Sequence, residues 1–259
     1  MNDAPVNEAI GVLRKAREMY KRVYVLFSGG KDSLAVLDLA TQVFRPSEMR
    51  IVFTEVTGNS DKCNVDYVYR VWLRYYGDYE LLHLKRNEDF FEYMLRAGTP
   101  GPGARWCMSK FKQSLWRHLS PPIFIVGMKR SDSRRRKLIY RSFFVKNDWL
   151  VGTVVLPILN WSTRDVLDYV RSRGLEVSPC YARYGHSGNC MFCPFHSKRS
   201  ATLTLMDPYW RERILPYLRR VMSVELAKTR FGATVRRKWL ENPVLRNVPL
   251  TAWSRSGCG

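Results

Sequence analysis

Residues 23–33 read V-Y-V-L-F-S-G-G-K-D-S, and this stretch decides the fold. Its first five residues form an apolar run long enough for one buried strand. The run breaks into Ser28, Gly29, Gly30, Lys31, Asp32 and Ser33. Leu34, Ala35, Val36, Leu37, Leu39 and Ala40 then follow at a spacing that suits a helix lying on a sheet. The order is strand, glycine turn, helix. Two adjacent glycines let the backbone turn tightly and approach a ligand closely. Asp32 or Ser33 is expected to cap the helix, with free N–H groups facing the turn. A helix N-terminus favours an anion, most often phosphate, and Lys31 adds a mobile positive charge. The spacing is not that of the Walker loop, in which four residues separate the glycine from G-K-[ST].

The chain has 259 residues, 46% of them hydrophobic, enough for a full core. No apolar run reaches the ~18 residues of a membrane span. The opening M-N-D-A-P-V-N-E lacks the basic start and apolar centre of a signal peptide. These features predict a cytoplasmic protein with no membrane partner. Lys and Arg number 43 against 23 Asp and Glu, a net charge of +20. Such a field attracts polyanions: nucleotides, tRNA or DNA. The bland alternative is a generally charged surface, but thermophile-type surfaces balance the signs and this one does not. Six cysteines (Cys63, Cys107, Cys180, Cys190, Cys193 and Cys258) read better as metal or redox ligands than as a disulfide frame.

Along the chain, helical spacing over 5–20 leads into the first strand. Strands are expected at 50–54, 80–84 and 122–126, and helices over 61–76 and 89–95. Thr57 and Gly58 follow the second strand at its carboxyl end, the edge where open α/β sheets bind ligands. The G-T-P-G-P-G of 98–103 excludes regular structure and suits a lid; a basic helix with Lys110 and Lys112 follows. Residues 138–158 hold β-like runs around a turn at 146–148. A helix capped by Ser162 or Thr163 runs to about Arg173, and helical patterns return at about 200–230 and 233–240. This alternation predicts a doubly wound, mostly parallel α/β sheet over 1–175, with a smaller helical, cysteine-bearing part over 176–259 that ends in a mobile tail.

Two further constellations bear chemistry. After the fourth strand come Gly127, Lys129, Arg130, Ser133, Arg134, Arg135 and Arg136, on the sheet edge that carries the glycine turn. That position suits phosphate or sulfate contact, most of all for Arg136. Cys190-Met-Phe-Cys193 is a C-x-x-C turn, whose two thiolates reach one metal; Cys180 lies ten residues earlier, and Cys107 stands before the fourth strand. Four thiolates admit zinc or an iron–sulfur cluster, and His186 or His196 would replace one in a zinc site.

Strand–SGGKDS–helix resembles the PP-loop of the N-type ATP pyrophosphatases. The 127–136 pattern G-x-[KR]-x-x-x-S-x-x-R, the P-I-L-N-W-S-T-R-D-V-L-D-Y of 157–169, S-P-C-Y at 178–181 and G-N-C-M-F-C-P at 188–194 are similar to segments of the phosphoadenylylsulfate (PAPS) reductase family. Arg105-Trp106-Cys107 with Lys112 resembles that family's W-C-x-x-x-K. The likeness spans about 20–198. It implies an adenine nucleotide alpha-hydrolase-like fold, with ATP or a related nucleotide on Ser28, Gly29, Gly30, Lys31, Asp32, Ser33, Thr57, Gly58, Gly127, Lys129 and Ser133. Cys107, Cys180, Cys190 and Cys193 match in order and spacing the cluster cysteines of the DNA-phosphorothioation sulfur-transfer branch, which implies a [4Fe–4S] cluster ahead of Zn2+.

The chain departs from the reductases at Trp106-Cys107, where they have a Cys-Cys pair, and at Cys180. The tail ends W-S-R-S-G-C-G, so Cys258 matches only the C-G of the reductases' catalytic E-C-G-[LI]-H. The expected activity is ATP- and Mg2+-dependent adenylation followed by sulfur transfer to a nucleic acid. Lys31, Asp32 and Arg136 carry the phosphate chemistry, and Cys258 or Cys63 stands as a candidate sulfur-bearing thiol. A cysteine desulfurase is the expected sulfur donor, and the exposed C-terminal helices suit an oligomer. The rivals are a sulfonucleotide reductase working with thioredoxin and a non-enzymatic, nucleotide-regulated nucleic-acid-binding module.

Overall fold

The computed structural model describes residues 4–147 and 152–247. The chain runs α1 (Ala4–Met19), β1 (Val23–Leu26), α2 (Lys31–Thr41), β2 (Met49–Thr54), α3 (Lys62–Tyr75), β3 (Leu81–Leu84) and α4 (Phe90–Ala97). Two single-turn helices, α5 (Trp106–Met108) and α6 (Ser114–Trp116), flank a π-helical turn at Ser109–Gln113. Then come β4 (Ile123–Ile125), α7 (Arg134–Ile139), β5 (Phe144–Asn147), β6 (Gly152–Val155) and α8 (Thr163–Ser172). The C-terminal part holds α9 (Cys180–Tyr184), α10 (Lys198–Met206), α11 (Pro208–Val221), α12 (Val224–Lys228) and α13 (Arg230–Trp239).

The sheet order is β3-β2-β1-β4-β6-β5. Every pairing is parallel except β5 with β6, which form an antiparallel edge hairpin. This hairpin accounts for the β-like runs expected over 138–158. The strand order reverses between β1 and β4, so their carboxyl ends open the crevice where such sheets bind ligands. Both loops singled out in the sequence leave from that crevice: 28–33 after β1, and 127–136 after β4.

Parallel strands are covered on both faces, and their side chains divide accordingly. Val23, Val25, Ile51, Ile125 and Val155 face a core shared with Leu34, Leu37, Val68 and Tyr169 of the helices on one side. Tyr24, Val52, Phe124 and Val154 face Trp116, Leu156 and Leu159 on the other. Asp38, buried in α2, ties this layer together: it accepts from Tyr169 Oη at 2.5 Å, Tyr76 Oη at 3.3 Å and Arg173 Nε at 2.9 Å. A second core joins Phe90, Phe91, Phe111, Phe192, Trp210 and Trp239, drawing on both sides of residue 175. The helical run expected over 200–230 is three helices, because Asp207 leaves the helical conformation and caps α11 ahead of Pro208.

Candidate functional site

The glycine turn is held from three sides. Gly29 takes φ +75°, and a Cβ there would lie 2.1 Å from Asn64 Nδ2. Only a residue with no side chain fits that close approach. Asn64 Nδ2 donates to Ser28 O at 3.2 Å and to Ser187 O at 2.8 Å. Ser33 Oγ accepts from the Ser28 N–H at 3.2 Å and donates to Gly30 O at 2.8 Å. The Lys31 N–H donates to Tyr181 Oη at 3.1 Å. Burial pushes the Tyr181 phenol up to about 12, against the Lys31 amide that favours its ionised form. Tyr181 therefore stays protonated and keeps a proton to donate at the turn.

The expected cap is corrected. Gly30 is the N-cap of α2 and provides no side-chain acceptor, while Asp32 sits in the first turn and Ser33 folds back over the loop. Asp32 is freed for another role. One carboxylate oxygen meets Lys31 Nζ at 2.9 Å and the other pairs with Lys129 Nζ. Lys129 is completely buried and also meets Asp132 at 2.9 Å; Asp132 in turn pairs with Arg136. Three cations and two carboxylates thus alternate from the glycine turn to the arginine motif. Burial raises the Asp132 carboxyl, but the hydrogen bond and charge of Lys129, with Arg136, outweigh it and hold the group below its ordinary value. Ser133 caps α7 by accepting from the Arg136 N–H at 3.1 Å. Arg134 and Arg135 lie exposed on α7.

Gly127 fixes the spacing between the two loops. A Cβ there would lie 2.6 Å from the carbonyl oxygen of Asp32. Beside this contact is a cavity of about 200 Å3, lined by Ser28, Gly30, Asp32, Ser33, Thr54, Lys112, Trp116, Gly127 and Asn189 among others. It is smaller than the ~300–1,000 Å3 that encloses a whole drug-sized ligand, so a nucleotide seated there extends beyond it. A roomier depression of about 520 Å3 near Arg219, Met222, Arg236 and Leu240 lies among the C-terminal helices, remote from both loops. Size alone does not locate the site.

Thr57 and Gly58 do not line the cavity. Thr57 Oγ1 donates to Arg86 O, and Gly58, at φ +79°, packs so closely on Asp89 that a Cβ would lie 1.9 Å from its carboxylate. The turn faces α4 rather than the crevice. The 98–103 loop is irregular as expected, with Gly101 packed on Phe231 of α13. Sequence reading assigned no role to Thr54 or Asn189 and did not see Asn64 as a loop contact. Thr54 Oγ1 accepts from buried Trp116 Nε1 at 2.9 Å. Its place at the end of β2 was the available signal.

The thiols fall into two neighbourhoods. Cys107 and Cys193 both lie near Cys190. Burial, and then the Cys190 charge, raises Cys107; the same two causes push Cys193 up to about 12. Cys180 Sγ lies 2.7 Å from Cys63 Sγ. Asp61, Cys63 and Cys180 are the set of three ligand-type side chains whose donor atoms lie within 4.8 Å of one another among the described residues. The rings of His186 and His196 lie 4.2 Å apart between centroids, tilted by 34°. Burial holds them neutral, at about 4 and about 3 respectively. Cys258 lies outside the described residues.

The comparisons agree with this geometry. The chain is 29% identical over 198 residues to the uncharacterized protein MJ0973 of Methanocaldococcus jannaschii, covering 72% of this chain and 46% of that protein. It is 24% identical over 199 residues to sulfate adenylyltransferase subunit 2 of Nocardia farcinica, covering 67% and 63% respectively. The chain thus spans less than two thirds of the length of both relatives. Among solved structures, PAPS reductase from Candida auris, in a phosphate complex, matches with a TM-score of 0.50 at 16% identity, over 68% of this chain and 84% of that one. That likeness supports the fold. The model of the phosphoadenosine phosphosulfate reductase domain matches residues 22–195. The chain belongs to the phosphoadenosine phosphosulfate reductase domain family.

Proposed function

We propose that the chain binds ATP, or a closely related adenine nucleotide, on the 28–33 turn and uses it to adenylate an acceptor for sulfur transfer. The observation that carries this reading is the cavity at the β1/β4 crevice, where Ser28, Gly30, Asp32 and Ser33 face Gly127. The first-turn amides of α2 lack intrahelical acceptors; Tyr181 holds that of Lys31, which leaves those of Asp32 and Ser33 for a phosphate. Lys31, whose ammonium now rests on Asp32, turns to hold the outer phosphates. Lys129, with Asp32 and Asp132 on either side, stabilises charge that develops at the α-phosphate. Tyr181 donates a hydrogen bond without ionising. Asp32, whose carboxylate two lysines now satisfy, is the residue to hold Mg2+ once phosphate oxygens draw those lysines away. Bound Mg2+ would neutralise phosphate charge and orient the leaving group. Gly127 keeps the loops in contact, while Ser133 and Arg136 brace Asp132 from α7.

For the thiols, Cys107, Cys190 and Cys193 fit a thiophilic metal centre. Cys107 and Cys193 resist ionisation as bare thiols, and a cation supplies the charge that thiolates need. We carry these three forward as ligands of an iron–sulfur centre, with zinc as the alternative. Cys180, the fourth residue the family likeness implies, is seated on Cys63. Such a centre supplies sulfur or electron chemistry. The acceptor we favour is a nucleic acid, tRNA or DNA, because the net charge is +20 and Arg134 and Arg135 lie exposed beside the site. A cysteine desulfurase as sulfur donor belongs to the same reading.

The test is incubation of the purified protein with ATP, Mg2+ and candidate nucleic acids, and separately with adenylylsulfate or phosphoadenylylsulfate plus thioredoxin. Pyrophosphate release, lost in Lys31→Ala, supports the reading. Sulfite release without ATP consumption makes the chain a reductase instead.

A further inference from the structure

Cys63 and Cys180 are 117 residues apart in sequence, yet their sulfurs approach to 2.7 Å. This is closer than two thiolates on one tetrahedral zinc, which stand about 3.8 Å apart given Zn–S bonds of ~2.3 Å. It is longer than the ~2.05 Å of a disulfide and is a close contact between two free thiols, with nothing between the sulfurs. Asp61 is the neighbouring carboxylate, but its oxygens are already taken: it accepts from the Cys63 N–H at 2.8 Å, from Tyr184 Oη at 3.1 Å and from Trp210 Nε1 at 2.5 Å. A carboxylate already holding three donors beside two touching thiols suits a dithiol better than a metal.

The neighbours of this pair matter more. Asn64, next to Cys63, donates to Ser28 O, and Tyr181, next to Cys180, accepts from the Lys31 N–H. Each thiol is therefore one residue from a contact that holds the glycine turn. Cys180 is fully buried, while Cys63 is only half-buried at the start of α3, so Cys63 is the thiol that meets a solvent-borne reagent.

We propose that Cys63 and Cys180 form a redox dithiol whose oxidation to a disulfide tightens nucleotide binding on the 28–33 turn. The nucleotide part rests on the reading above. The oxidant class is a small-molecule disulfide, RSSR. The Cys63 thiolate attacks one sulfur of RSSR, forming the mixed disulfide and expelling RS−. The Cys180 thiolate then attacks the Cys63 sulfur and expels the second RS−. Two protein thiols lose two electrons and two protons, and RSSR becomes two RSH. The new bond ties α3 to α9, so Asn64 and Tyr181 hold the turn in its binding geometry before ligand arrives.

The experiment treats anaerobically purified protein with oxidised glutathione, blocks free thiols, and maps cross-linked peptides by mass spectrometry. ATP affinity is measured in the reduced and oxidised states. The expected result is a peptide pair linked through Cys63 and Cys180, with affinity higher by about 5-fold or more on oxidation. In Cys63→Ser both the link and the affinity response vanish. The proposal is overturned by an unlinked pair after oxidation, by a metal ion held on these two residues in the purified protein, by a linked pair with unchanged or weaker affinity, or by a response that survives in Cys63→Ser. A protein that forms the link but binds no ATP in either state refutes the nucleotide reading and, with it, the coupling, but leaves the disulfide standing.

Discussion

Lys129→Met removes the ammonium from the middle of the charge chain. Lys129 is 0% exposed, and its partners Asp32 and Asp132 are only 23% and 27% exposed at the side chain. The variant fills the same volume but leaves Asp32 with Lys31 alone and Asp132 with Arg136 alone, each short of its buried cation. Breaking a buried ion pair costs about 3–5 kcal/mol. Partial exposure of both carboxylates argues for the lower end, so about 3 kcal/mol is expected. In a domain of this size that lowers Tm by roughly 6–12 °C. The pH dependence has a definite sign. The Asp132 carboxyl is held below its ordinary 3.8 in the folded protein, so its contribution is present above about pH 4 and is lost as pH falls further. Lys129→Met removes that contribution, so the variant and the parent converge in stability under acid. Adding Asp132→Asn to Lys129→Met removes one of the two carboxylates that lost their buried cation and recovers part of the loss. The assay is thermal and denaturant unfolding of the parent, both single variants and the double variant, from pH 3 to 8. A Lys129→Met protein within about 1 kcal/mol of the parent, or no recovery in the double variant, refutes the charge-chain argument.

Gly127→Ala places a Cβ against the Asp32 carbonyl, which cannot move without moving the turn. Stability falls by about 1–3 kcal/mol, and isothermal titration shows ATP affinity reduced more than in Gly103→Ala, where a Cβ meets nothing within 4 Å. Burial holds His186 at about 4, so the unfolded chain takes up protons first as pH drops from 6.5. Stability therefore declines between about pH 6.5 and 4, and His186→Gln flattens this slope in pH-dependent melts. Cys190→Ser removes one of the three proposed metal ligands; metal content measured on anaerobically purified protein falls to below about half, and the C-terminal core melts earlier.

The strand–turn–helix of 23–41 was legible because its signals are local: an apolar run, two glycines, then helical spacing. The parallel sheet followed from the same alternation. What the linear chain hides are partnerships between distant residues. Asp32 and Lys129 are 97 positions apart, and nothing in either neighbourhood announces that one carboxylate bridges two lysines. Tyr181 lies within a legible motif, but its grip on the Lys31 amide depends on how α9 packs. Thr57 and Gly58 stand at the carboxyl end of a central strand, where ligand contact is the general rule. Asp89, committed to Arg213, draws that turn toward the helical core instead. Capping was misread for a related reason: Asp32 and Ser33 have the right chemistry, but Gly30 occupies the cap, and the two side chains serve the lysines and the loop.

Every role given to the β1/β4 crevice depends on a nucleotide's polyphosphate resting against the amides of the 28–33 turn. A structure of the protein with a non-hydrolysable ATP analogue and Mg2+ tests it most directly. Phosphate oxygens are expected within hydrogen-bonding distance of those amides, with Lys31 turned from Asp32 onto the phosphates. An analogue bound elsewhere, with the Lys31–Asp32–Lys129 chain intact and the crevice empty, contradicts it.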